Sequence, residues 1–118
     1  MSESVNFDIK TENDLAIFKL EESRFDSQIA GLVKAEFTIL LSDEITKLVI
    51  DMSEVEYCDS SGLSSLLLAF RILQSQEGHI RIAAPQKGIR TLIQISQLDR
   101  ILPIFDTVEE AVKDLETI

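Results

Sequence analysis

One cysteine and no tryptophan occur among the 118 residues, with four glycines and two prolines. With Cys58 alone, no internal disulfide can form, which fits a reducing compartment. So few glycines and prolines imply compact elements joined by short loops, and no linker, repeat or low-complexity stretch interrupts them. His79 is the only histidine, so no His/Cys cluster exists for zinc, and no Gly-rich loop exists for a nucleotide phosphate. Positive charge is scarce: 11 Lys and Arg stand against 21 Asp and Glu, a formal net charge of −10. Nucleic acid and anionic membrane surfaces both require clustered cations, so the charge argues against either as a partner. Long apolar runs are missing too, none approaching the roughly 18 residues of a membrane span. Met1-Ser2-Glu3-Ser4 is acidic and carries no apolar signal region. The expectation is a cytoplasmic protein with no cofactor of its own. Its acidity suits a basic protein partner and serves plain solubility equally well.

What is present has the makings of a core. Hydrophobic residues make up 45%, too many for a disordered chain, and the length suits one domain over residues 1–118. Val5, Phe7 and Ile9 alternate with polar residues, as a half-buried strand does. Glu12-Asn13-Asp14 reads as a turn into a second strand carrying Leu15, Ile17, Phe18 and Leu20. Asp26 is placed to cap a helix running to about Leu41, with Ile29, Leu32, Val33, Phe37, Leu40 and Leu41 as its apolar stripe. Leu48–Met52 is apolar on both faces, like a central parallel strand. A helix from about Ser60 to Gln76 follows, with Leu63, Leu66, Leu67, Phe70 and Leu73 as its stripe and Gly78 as its stop. Ile80 and Ile82 mark another strand. Ile89, Leu92, Ile93 and Ile95 mark a short helix, and Leu102–Phe105 a short edge strand containing Pro103. Thr107-Val108-Glu109-Glu110 is a capping box opening a last helix. The order predicts an α/β fold: a single mixed, mostly parallel sheet with an N-terminal antiparallel hairpin and about four helices.

The junction Tyr57-Cys58-Asp59-Ser60-Ser61-Gly62-Leu63 holds the candidate site. It places two hydroxyls at a helix N-terminus, where backbone N–H groups lack helical partners and added negative charge is tolerated. A reversible phosphate fits there, and so does ordinary capping by Asp59. On the same helix Leu68 and Ile72 fall off the apolar stripe, beside Ser64, Ser65 and Arg71. A neighbouring helix buries them, or they form an exposed patch for a protein partner, whose backbone the small Ser64 and Ser65 would let approach.

Asp59-Ser60-Ser61-Gly62-Leu63, following an apolar strand midway along a short chain, resembles the signature of the STAS family and in particular of its anti-sigma factor antagonists. Phe25-Asp26 resembles the hydrophobic-Asp pair that opens the family's first helix, and Leu92–Leu98 its late helix ending in a Ser-Gly-Leu turn. The resemblance spans nearly the whole chain. Ser23 and Gln97 stand where the family usually has glycine. The resemblance implies a partner-switching cycle. Unmodified protein would bind an anti-sigma factor with serine kinase activity and free a sigma factor. Phosphorylation at Ser60, with Ser61 a minor candidate, would dissociate the pair, and a metal-dependent serine phosphatase would restore it. The resemblance places Asp59 beside the phosphoacceptor and Asp26 near the partner surface, although capping the first helix is an equally good role for Asp26. With Ser60, Ser61 and the Ser64, Leu68 and Ile72 patch read from the helix periodicity, these are the candidate partner-binding residues.

Catalysis by the chain has little support. Neither serine has a base in sequence reach, the Gly-x-Ser-x-Gly elbow is absent, and His79 reads as an exposed turn residue. Cys58 reads as a small buried hydrophobe unless the helix terminus activates it. Asp43, Glu44, Asp51, Glu54, Glu56 and Asp59 are too scattered for a metal site. Two rivals stand beside the switching reading. One is a non-phosphorylated STAS scaffold in a larger signalling or transport assembly. The other is a receiver-like domain with Asp51 as phosphoacceptor, for which the partner acids and the late lysine are missing.

Overall fold

The computed structural model describes residues 4–41 and 44–118. Met1, Ser2 and Glu3 of the N-terminal reading, and Asp43 among the scattered acids, lie outside the described residues. The hairpin comes first. Phe7–Glu12 (β1) pairs antiparallel with Leu15–Leu20 (β2), and the turn between them holds Asn13 at φ 56°, a left-handed conformation that asparagine tolerates. Arg24–Phe25 (β3) is a two-residue strand leading to helix α1, Ser27–Leu40. Lys47–Asp51 (β4), Tyr57–Cys58 (β5) and helix α2, Ser60–Ser75, follow. Then come His79–Ala83 (β6), Lys87–Ile95 (α3), a 3₁₀ turn at Leu98–Arg100, Ile104–Phe105 (β7) and Val108–Glu116 (α4).

The main sheet has the order β1-β2-β4-β6-β7, and every pairing after the hairpin is parallel. This is the mixed α/β sheet with four α-helices that the pattern predicts. It is not a receiver: that doubly wound fold has a wholly parallel sheet with its first strand inside, whereas β1 is an antiparallel edge. The two faces of the sheet are filled differently. Phe18, Leu20, Leu48, Ile50, Ile80 and Ile82 meet Val33, Phe37, Leu66, Leu73 and Ile93 from α1, α2 and α3 in the main core. On the other face Val49 and Ala83 pack with Ala111 and Leu115 of α4, and the Thr107 hydroxyl accepts the Glu110 N–H at 3.1 Å, as the capping box requires.

Five expectations need correction. The stripe of α2 is rotated: its buried residues are Gly62, Leu63, Ser65, Leu66, Ala69 and Leu73, while Leu67 and Phe70 are half-buried. The reason is that α2 packs against both the sheet and α1, so its small residues face α1. Glu77 at φ 58°, not Gly78, takes the left-handed turn after α2. Gly78 is needed for space, since a Cβ there would lie 2.4 Å from the Thr46 carbonyl oxygen. Ile95 is 74% exposed at the end of α3 and is no part of the core stripe. The last strand is shorter than Leu102–Phe105. Leu102 is buried ahead of it, and the Pro103 carbonyl accepts the Ile82 N–H at 2.8 Å. His79 is half-buried in β6, its N–H donated to the Thr46 carbonyl at 2.8 Å, and not a free turn residue.

Candidate functional site

The short ribbon β3–β5, with Arg24 opposite Tyr57 and Phe25 opposite Cys58, sets the site. It lies beyond the carboxyl ends of the parallel strands, where ligands of open α/β sheets gather. The Asp59 N–H donates to the Phe25 carbonyl at 3.3 Å, so the pairing continues one step and brings Asp26 and Asp59 side by side. Each then caps a helix. The Asp26 carboxylate accepts the Gln28 N–H at 3.0 Å; the Asp59 Oδ1 accepts the N–H of Ser61 at 2.9 Å and of Gly62 at 3.2 Å. Two adjacent helix starts, α1 and α2, therefore open on the same surface.

Ser60, the first residue of α2, is exposed there. Among the described residues no protein group bonds its hydroxyl. Ser61 is half-buried, and its carbonyl accepts the Ser65 hydroxyl at 3.3 Å. Ser65 itself is fully buried, and its one hydroxyl proton is shared between that carbonyl and the nearer Ala30 carbonyl of α1 at 3.1 Å. Ser65 thus joins α2 to α1, and the expectation that it would admit a partner backbone is wrong. Ser64, by contrast, is exposed.

At 100° per residue, Ser60, Ser64, Leu67 and Arg71 share one face of α2. Ser64 and Arg71 are exposed and Leu67 is half-buried. Leu68 and Ile72 run alongside, toward α1, both half-buried. They differ in what they touch: Ile72 packs against the main core, while Leu67 and Leu68 are not among its members. Sequence reasoning assigned Leu67 to the core and so missed it here. Its spacing of seven residues from Ser60 is the signal that places it.

Arg24 and Tyr57 were missed as well. The Arg24 guanidinium sits 4.3 Å from the centre of the Tyr57 ring and its Nε donates to Asp26 Oδ2 at 3.2 Å. This orders the outer face of β3–β5 next to Ser60, with Tyr57 43% exposed. No periodicity announces a two-residue strand, so neither side chain stood out.

Cys58 points inward from β5 and is buried. Burial, reinforced by the Asp59 charge, pushes its thiol up to about 12, so it is not a nucleophile at neutral pH. Asp51 ends β4, and its carboxylate accepts the Ser53 N–H at 2.9 Å, a turn-forming role. Its neighbour Lys19 is instead bonded to Glu54 at 3.0 Å, which raises the Lys19 pKa. Among the described residues no group of three His, Cys, Asp or Glu side chains is gathered for a metal ion. None of the described helices is long and apolar enough to cross a membrane.

Comparison with known proteins follows the same lines. A family model described as the STAS domain matches residues 6–111. A protein of Thermotoga neapolitana named as an anti-sigma factor antagonist is 28% identical over 80 residues, covering 68% of this chain and 71% of that protein. A crystal structure of a Thermotoga maritima protein described as an anti-sigma factor antagonist superposes with a TM-score of 0.83 at 26% identity, covering 93% of this chain and 94% of the other. The anti-sigma factor antagonist SpoIIAA superposes in its unphosphorylated form with a TM-score of 0.81 at 20% identity, over 96% of this chain and 98% of that one. SpoIIAA of Bacillus in its phosphorylated form gives 0.73 at 20% identity, over 92% and 98%. At that identity SpoIIAA speaks for the fold alone.

Proposed function

The chain belongs to the STAS domain family, and on that premise we propose that it is an anti-sigma factor antagonist switched by phosphorylation of Ser60. Residues 1–118 act as one STAS domain in the cytoplasm. The unmodified protein binds an anti-sigma factor with serine kinase activity through the surface of Ser60, Ser61, Ser64, Leu67 and Leu68, flanked by Asp26, Asp59 and the outer edge of Ile72. A metal-dependent serine phosphatase reverses the modification. The chain works by binding, and the ATP and metal chemistry belongs to its partners.

The observation that carries this reading is the exposed, unbonded Ser60 hydroxyl at the first position of an Asp59-capped helix. In the free protein the hydroxyl is open to a kinase, and a phosphate there stays in water near the positive end of the α2 dipole. Asp59 already takes the Ser61 and Gly62 N–H groups, so the phosphate displaces no bond that the helix needs. Inside an interface the same group is costly. It adds a charge of about −1.5 to −2 and strong acceptors that must be desolvated, beside the carboxylate of Asp59. The switch therefore acts on association and spares the fold.

Incubation with the cognate kinase and ATP, followed by mass-spectrometric mapping, tests the assignment. Phosphate on Ser60, abolished in Ser60→Ala, is the expected result. A chain left unmodified by a kinase that is active on another substrate would overturn the switch and leave a STAS scaffold.

A further inference from the structure

We propose that the cavity at the open edge of β6 binds a small organic anion, an oxyanion head of phosphate or carboxylate type on a short apolar body. This goes beyond the partner-binding reading and does not depend on it. Strand β7 flanks β6 only at Ile82 and Ala83, which leaves the edge from His79 to Arg81 uncovered. The His79 N–H is donated inward to Thr46 and the Ile82 N–H outward to Pro103. Alternation along a strand turns the Ile80 amide outward too, onto the uncovered edge. The Ile80 carbonyl that faces the same way is occupied by Arg81 Nη1 at 2.8 Å. This leaves an amide donor beside a guanidinium, a pairing that suits an oxyanion.

The cavity measures about 220 Å³. Two of its nine lining residues, Arg81 and Arg100, are cationic, and none is acidic. That balance is the reverse of the whole chain, in which 21 acids outnumber 11 Lys and Arg. Arg81 is held in place by Asp114, whose carboxylate accepts its Nε at 2.7 Å and which is not part of the wall. Arg100 forms no ion pair among the described residues and is free to turn onto a ligand. Phe70, Leu73 and Ile101 supply the apolar wall. The volume is below the roughly 300 Å³ at which drug-sized sites begin, so the ligand is a head plus a body about the size of one ring. Phe70 and Leu73 belong to the last turns of α2, about 15–20 Å from Ser60 along the helix at 1.5 Å per residue. A ligand here and a protein on the Ser60 face can therefore be held together.

An amide-resolved NMR titration of the full chain with phenyl phosphate, inorganic phosphate and phenol tests the proposal. Phenyl phosphate is expected to move the amides of His79, Ile80 and Arg81 along a saturating curve, inorganic phosphate to do so more weakly, and phenol not to move them. Arg100→Gln is expected to weaken phenyl phosphate by about fivefold, the span of an exposed charge contact, with Arg100→Lys recovering most of the loss. Carboxylate heads are compared through benzoate, and weaker binding than phenyl phosphate assigns the site to phosphate esters. Shifts that do not saturate, that phenol reproduces, or that Arg100→Gln leaves unchanged overturn the site.

Discussion

Gly62→Ala should destabilise this protein, although the same change at an open helical position should stabilise it. A Cβ at residue 62 would lie 2.5 Å from the Phe25 carbonyl oxygen, 2.7 Å from Cys58 Sγ and 3.0 Å from Phe25 Cγ. Two of the three are poor at yielding. The Phe25 carbonyl is backbone and already accepts the Asp59 N–H, and Cys58 is buried on β5. Ordinary contact begins at 3.4 Å, so β3 must retreat from α2 by nearly an ångström at the Phe25 carbonyl. Overpacking of this kind costs about 1–3 kcal/mol, against about 0.5–1 kcal/mol gained by replacing a helical glycine with alanine. The net expectation is a loss of about 1–2 kcal/mol, roughly 4–10 °C in Tm for a chain of this size. Gly31, within α1, meets nothing inside 4 Å, so Gly31→Ala should gain about 0.5–1 kcal/mol. Thermal melts of both variants in one buffer decide the matter. A Tm that rises equally in the two would refute the claim that the Asp-Ser-Ser-Gly-Leu glycine is there so that α2 can approach β3.

Asp59→Ala removes the acceptor for two N–H groups and should cost about 1 kcal/mol in a denaturant melt, with Asp59→Asn recovering most of it. Leu68→Ala and Leu67→Ala should weaken partner binding while costing less than about 1 kcal/mol of stability, since neither joins the main core. Ile72→Ala should cost about 1–2 kcal/mol, half of a full core truncation. Equal stability losses at all three would place Leu67 and Leu68 in the core. Native Cys58 should react slowly with an alkylating reagent at neutral pH, its thiol being held near 12. Because that value is raised above the unfolded one, near 9, the unfolded chain loses this proton first. Stability should therefore fall as pH rises from about 9 toward 12, and Cys58→Ala should flatten the slope in alkaline melts.

The hairpin, the central strand β4, the Asp26, Asp59 and Thr107 caps and the four helices were legible because each is written locally. Alternation, 3.6-residue periodicity and capping side chains act within one or two turns. The ribbon β3–β5 was not legible. It joins Arg24–Phe25 to Tyr57–Cys58 across 33 positions, with strands too short to carry a period. Without it Asp26 and Asp59 are two separate caps; with it they stand together and Arg24 and Tyr57 join the site. The rotation of α2 was hidden for a related reason. Leu67 is as apolar as Leu66, and only the docking of Ser65 on Ala30 decides which of them turns away from the core. At Gln97 the resemblance to a glycine position proved informative: the residue adopts φ 60°, ψ 19°, the left-handed conformation glycine would take there.

The central claim is that a phosphate on Ser60 breaks a protein–protein contact without disturbing the fold. Isothermal titration of the anti-sigma factor with unmodified chain and with chain carrying phosphoserine at position 60 measures it directly, with a thermal melt of each alongside. The account predicts closely matched melts and a Kd weakened by about a hundredfold or more, roughly 2.7 kcal/mol of lost association. Equal affinities for the two forms would contradict it.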